Sequence, residues 1–200
     1  MTSSNAAMTQ PTDLQVKQRA VRLSNTGVWL LLAEIVMLFV AFTSAMVVRK
    51  AAAGDWEQVT LPAVFAGSTL LLLAGTLFME LARRSARALA EEPAMRSGSG
   101  PWLAATLLCG LGFLICQWLG FHQLAARGMN VASGPAMSFV YVFFVGHSVH
   151  LLGGVIAIAL LALRKATQER KKHAIAAAAL YWHGMTALWI YILILFKVML

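Results

Sequence analysis

Four side chains able to move a proton or bind a metal stand in stretches otherwise built of Leu, Ala, Val, Ile and Phe: Glu34, His147, His150 and His183. An ionised carboxylate in hydrocarbon is costly, so Glu34 is expected either to be protonated or to find a partner inside a helical bundle. His147 and His150, at i and i+3, share one helix face. His183 follows Tyr181 and Trp182 and offers a third imidazole from another segment. One carboxylate with two or three imidazoles is a ligand set for non-haem iron or zinc, and an independent metal-binding membrane enzyme is one reading of it. Metal sites in helical bundles usually draw on more carboxylates, often a Glu-x-x-His pair on each of two helices, and that pattern is absent. The five histidines also lack the facing axial pairs that two haems would need. Ser97, Gly98, Ser99 and Gly100 give a flexible loop among charges, unlike the strained turn of a serine nucleophile. The reading with most weight is a hydrogen-bonded polar network of Glu34, His147, His150 and His183 joining helices, with no catalytic, metal-binding or cofactor-binding residue in the chain.

The elements that hold these residues follow from composition. Of the 200 residues, 60% are hydrophobic and 12% charged, too apolar for a soluble domain of this size. A helix needs roughly 20 mostly apolar residues to cross about 30 Å of hydrocarbon. Five stretches qualify: Thr26 to Val48, Leu61 to Ala82, Trp102 to Phe121, Ala136 to Leu163 and Ala174 to Leu200. Backbone left unpaired in lipid is too costly, and no alternating pattern suggests a barrel, so the expected fold is all-α, a bundle of five transmembrane helices over residues 26–200. Residues 1–25, rich in Ser, Thr, Asn and Gln and without a basic residue before Lys17, read as a polar tail and not a signal peptide. Turn formers separate the spans: Gly54 and Asp55; Ser97 to Pro101; Gly134 and Pro135.

A net charge of +8 could point to nucleic acid, but the basic residues lie between apolar blocks and form no stripe with stacking aromatics. They mark membrane edges. Lys17, Arg19, Arg22, Arg83, Arg84, Arg87, Arg96, Arg164, Lys165, Arg170, Lys171 and Lys172 would fall on one side, against Arg49, Lys50, Arg127 and Lys197 on the other. The positive-inside rule then sets the N terminus in the cytoplasm and the C terminus outside.

Helices in lipid associate through close packing, which small residues permit. Gly112, Cys116 and Gly120 recur at four-residue spacing in the third span, and Gly146, His150 and Gly154, with Gly153 alongside, in the fourth. These faces are expected to touch neighbouring helices. Cys109 and Cys116, about 10 Å apart along one helix, are too far apart for a disulfide and read as packing residues.

From Asn25 onward the chain resembles the cytochrome c oxidase and quinol oxidase subunit III family, in its five-span form. The run Asn25 to Phe39, with Gly27, Trp29 and Glu34, is similar to the family's Gly-x-Trp-x-Phe-x-x-Ser-Glu block. Gln117 and Trp118, followed by Gln123 and Leu124, resemble the Gln-x-x-Glu-Tyr/Trp region without its acid. Gly146, His147, His150 and Gly154 resemble Gly-x-His-x-x-His-x-x-x-Gly. Tyr181, Trp182, His183 and Trp189 resemble Tyr-Trp-His-Phe-Val-Asp-x-x-Trp, with Thr186 where the aspartate belongs.

The resemblance implies a non-redox subunit of a haem-copper terminal oxidase in aerobic respiration, multi-pass in a bacterial-type inner membrane. It would carry no haem or copper itself, those centres belonging to partner subunits. It would pack mainly on subunit I, with subunit II and a small subunit IV nearby, hold phospholipid, and support proton uptake and translocation while oxygen is reduced. An accessory protein of nitric oxide reductase, which shares this fold, is the alternative within the same class.

Overall fold

A computed structural model describes residues 13–52, 54–56, 59–91, 98–163 and 167–200. Arg96, Ser97, Arg164 and Lys165, read above as loop residues, lie outside these. The described elements are helical: α1 (Asp13–Ala52), α2 (Val64–Glu91), α3 (Gly100–Ala126), a 3-10 turn (Val131–Ser133), α4 (Pro135–Leu163) and α5 (Gln168–Met199). All five long helices are long and apolar enough to cross a membrane. The chain is a multi-pass membrane protein.

The helix limits follow local chemistry. Pro101 occupies the first turn of α3 and Pro135 starts α4, positions where a missing N–H costs nothing. Pro62 holds α2 back to Val64, three residues after the apolar stretch begins. After α3 the chain turns through Gly128 at φ 76°, a left-handed conformation that glycine adopts without strain. One expectation is corrected: α1 begins at Asp13, so the second half of the presumed tail is helical. Gln15, Lys17, Gln18, Arg19 and Ala20 are all good helix formers, and they extend the span as a continuous rod.

Helices α2, α3, α4 and α5 form a closed ring in which each touches the next, and α1 lies outside it against α4 and α5. The tightest seam joins α2 to α3, where Gly112 faces Leu71 and Gly120 faces Phe65. Small residues here let two backbones approach so that dispersion contacts replace the hydrophobic force absent in lipid. The ring's interior is aromatic. Phe113 and Phe144 each lie with their ring centroid 5.0 Å from Trp189, and Phe196 packs on both Phe143 and Phe144 at 5.4 Å. From α1, the stripe Leu32, Ile35, Phe39 and Met46 is buried against this ring.

Candidate functional site

The four protonatable side chains inside the spans occupy separate environments. His147 is fully buried in α4, its ring 5.1 Å from Trp189 and 5.6 Å from Phe113. Neither ring nitrogen has a hydrogen-bond partner among the described residues. One turn later, His150 Nδ1 lies 2.7 Å from the Gly146 carbonyl oxygen. A carbonyl only accepts, so Nδ1 carries the proton in this contact. The Tyr181 hydroxyl of α5 donates to the His150 carbonyl at 2.7 Å, and the His150 ring meets Phe39 of α1 edge-on. The two histidines therefore share one flank of α4, but His147 faces the aromatic interior while His150 faces the junction with α1.

His183 points elsewhere. Its Nε2 is 3.8 Å from Glu80 Oε2 of α2. Glu80 accepts from Arg83 at 2.7 and 2.8 Å and from Arg84 at 3.1 Å. By its place in the sequence Glu80 is an end residue beside a basic loop; in the structure it is the centre of a carboxylate, guanidinium and imidazole cluster joining α2 to α5. Glu34 is exposed on the outer surface of α1. The expected single network of Glu34, His147, His150 and His183 is therefore corrected. At about 100° per residue, Glu34 is turned well away from the buried stripe through Leu32, Ile35 and Phe39, and His183 meets α2 instead of α4. Among the described residues, no three His, Cys, Asp or Glu side chains gather around one point that could hold a metal ion.

The polar connections that do cross helix boundaries use hydroxyls and amides. Gln117 of α3 donates through Nε2 to Ser68 Oγ of α2 at 3.2 Å. Trp189 Nε1 of α5 donates to Thr69 Oγ1 at 3.0 Å. Thr76 and Thr186 join α2 to α5. Ser68, Gln117 and Thr186 are all buried. Sequence reasoning does not single out these α2 hydroxyls. The available signal is Thr69 and Thr76 seven residues apart in an apolar run, which sets both on one face.

Of the expected packing glycines, a Cβ at Gly112 would lie 3.2 Å from Leu71, at Gly146 3.5 Å from Phe39, and at Gly154 2.7 Å from Tyr181; Gly120 abuts Phe65. Gly153 is a correction, since nothing lies within 4 Å of its Cβ position. One residue before Gly154, and so turned about 100° from the Tyr181 contact, it lines the groove between α1 and α4. Unforeseen contacts occur at Gly75 and Gly110, both against Trp182, and at Gly184 against Leu32. Trp182 and Trp189 are buried, whereas Trp29 is 60% exposed and faces outward.

No family model matches the chain. It is similar to a probable cytochrome c oxidase subunit 3 of Mycobacterium leprae, 29% identical over 171 residues that cover 82% of this chain and 81% of the relative. The cytochrome c oxidase subunit 3 of Bacillus subtilis is 27% identical over 172 residues, 83% of this chain and 81% of the relative. A quinol oxidase subunit 3 of Bacillus spizizenii is 26% identical over 187 residues, 90% of this chain and 88% of the relative. The chain is thus similar, over most of its length, to subunit 3 of both cytochrome c oxidases and quinol oxidases.

Against the subunit III motifs that the sequence resembles, its two departures acquire a structural meaning. Thr186, where the family pattern has an acid, still links α5 to α2 through its hydroxyl. In α3, Gln117 provides the interhelix hydrogen bond without an adjacent carboxylate. The bundle thus joins its helices with neutral groups in the interior and keeps Glu80, with its arginines, towards one end.

Proposed function

We propose that this chain is subunit III of a haem-copper terminal oxidase, a subunit without a redox centre that packs on subunit I and supports proton uptake during oxygen reduction. The observation that carries this reading is similarity to oxidase subunits named for both cytochrome c and quinol, extending over at least four-fifths of this chain and of each relative described. The distribution of Lys and Arg favours a cytoplasmic N terminus and an outer C terminus.

A bound phospholipid belongs to the proposal. Between α1 and the α4–α5 pair runs a groove of about 650 Å³. Small residues such as Gly153, Ala157 and Ala178 line it together with Val28, Leu31 and Leu160, and its polar lining comes from His150 and Tyr181. An acyl chain fits such a mostly apolar channel. At the end where α5 begins, Arg170, Lys171 and Lys172 would attract an anionic headgroup.

The test is affinity purification of the tagged chain from membranes, followed by visible absorbance and oxygen-uptake measurements. Co-purifying haem with oxygen reductase activity supports the proposal; a haem core that consumes nitric oxide and not oxygen, or no haem protein, removes it. Within the assembled oxidase, His150→Ala is expected to lower assembly or activity over many turnovers while the haem spectrum of assembled enzyme stays unchanged.

A further inference from the structure

The outward face of α1 carries a pattern that lipid alone does not account for. Gly27, Glu34, Ala41 and Val48 are spaced seven residues apart, and all four are exposed. A seven-residue repeat keeps a stripe facing one neighbour along a helix that packs at a shallow angle. Leu30, Leu38 and Ala45 fill the intervening turns of the same side and are also exposed. Gly27, Ala41 and Ala45 are small enough for a second backbone to come close.

Glu34 decides what covers this stripe. It lies about 14 Å along the helix from Asn25, the start of the span. No hydrogen bond or ion pair reaches it among the described residues. The chain handles Glu80, the carboxylate towards one end of the α2 span, differently, setting Arg83, Arg84 and His183 around it. A carboxylate on the surface of a span, with neither such partners nor the length to reach the interface, needs a donor from outside the chain. α1 is also the least enclosed span: 22% of its most apolar window is buried, against 50% for α5.

We infer that the Gly27, Glu34, Ala41 and Val48 stripe seats one transmembrane helix of a different polypeptide, which presents a cationic or hydrogen-bond-donating side chain to Glu34. The identity of that polypeptide as an oxidase subunit rests on the proposed function; the seat itself rests on the geometry of α1.

The experiment places the photo-crosslinking residue benzoylphenylalanine at Leu38 or Ala41 in the tagged full chain, with Leu108 on the exposed face of α3 as a control, and irradiates membranes before purification. The expected result is one defined protein adduct from Leu38 or Ala41, mapped to a membrane span bearing a Lys, Arg, His, Asn, Gln, Ser, Thr, Tyr or Trp at the depth of Glu34. Glu34→Leu should reduce that adduct several-fold and Glu34→Gln should retain most of it, because an amide still accepts a hydrogen bond. Adducts to lipid alone, or to a second copy of this chain, overturn the inference even if an active haem oxidase co-purifies, and in that case the proposed function stands. A defined adduct to another polypeptide in a preparation lacking haem supports the seat and removes the proposed function.

Discussion

Thr186 of α5 and Thr76 of α2 stand with their hydroxyl oxygens 2.9 Å apart, inside the ring of helices. Each hydroxyl also lies within hydrogen-bond distance of the carbonyl four residues back in its own helix, Trp182 for Thr186 and Leu72 for Thr76. Two protons serve three contacts, so whenever the cross-helix bond is made, one threonine donates across the helices and the other donates to its own backbone. Thr186→Val keeps the shape and removes the cross-helix bond. The expected loss is about 1 kcal/mol of stability, the usual net worth of such a bond in membranes or water, read as a lowered midpoint of thermal unfolding in detergent. An unchanged midpoint would mean that the bond contributes nothing to holding α2 and α5 together.

Glycines in this bundle separate into two kinds, and substitution distinguishes them. A Cβ at Gly110 would meet Val155 Cγ2 at 2.7 Å and Trp182 at 3.0 Å. Neither neighbour has room to withdraw in a packed interior, so Gly110→Ala should destabilise by roughly 1–3 kcal/mol. Gly153→Ala meets nothing within 4 Å and should stabilise by up to about 1 kcal/mol through helix propensity. Paired melting curves check both signs at once.

The number of spans and their approximate limits could be read from hydropathy because lipid imposes one rule, internal backbone pairing, on every crossing segment. Thr26 to Val48 lies wholly within α1, and Trp102 to Phe121 within α3. What sequence could not give was azimuth. Glu34, His147 and His183 are expected to converge since each is costly in lipid, yet which neighbour a helix face meets depends on the order of helices around the ring. That order sets α2 beside α5, making Glu80 the partner of His183. Among the described residues it also leaves α1 in contact with α4 and α5 alone, which turns Glu34 outward. The hydroxyl links through Ser68, Thr69 and Thr76 are hidden for a different reason: serine and threonine in a span can satisfy themselves against their own helix, so their presence alone does not announce a cross-helix bond.

A pH effect is expected at the connection between α1 and α2. The Arg49 guanidinium donates to both Asp55 carboxylate oxygens, at 2.9 and 2.7 Å, and that hydrogen bonding holds the Asp55 carboxyl below its ordinary range. A depressed carboxylate contributes stability above the unfolded value, about 3.9, and loses it as pH falls through the folded value. Asp55→Asn should therefore melt slightly below the parent chain at neutral pH, and the two curves should merge in acid. The pair is solvent-exposed, so raising the salt concentration at neutral pH should also shrink the difference. A gap that persists both in acid and in high salt would assign the effect of the substitution to something other than this ion pair.

The groove between α1 and the α4–α5 pair provides the most direct handle on lipid binding. Ala178 lines it and is partly buried, with Val28 and Leu31 of α1 across the channel. Ala178→Phe adds a ring to the channel about 16 Å along α5 from Trp189, and so leaves the aromatic interior around that residue untouched. Native mass spectrometry of the purified protein or complex should show at least one fewer retained phospholipid in the variant. Ala178→Ser, nearly the same size as alanine, should retain the parent's lipid count. If both variants keep the full complement, the retained lipid sits elsewhere and the groove is not its site. Loss in the phenylalanine variant, with normal assembly, would separate lipid retention from the packing of α1 on the ring.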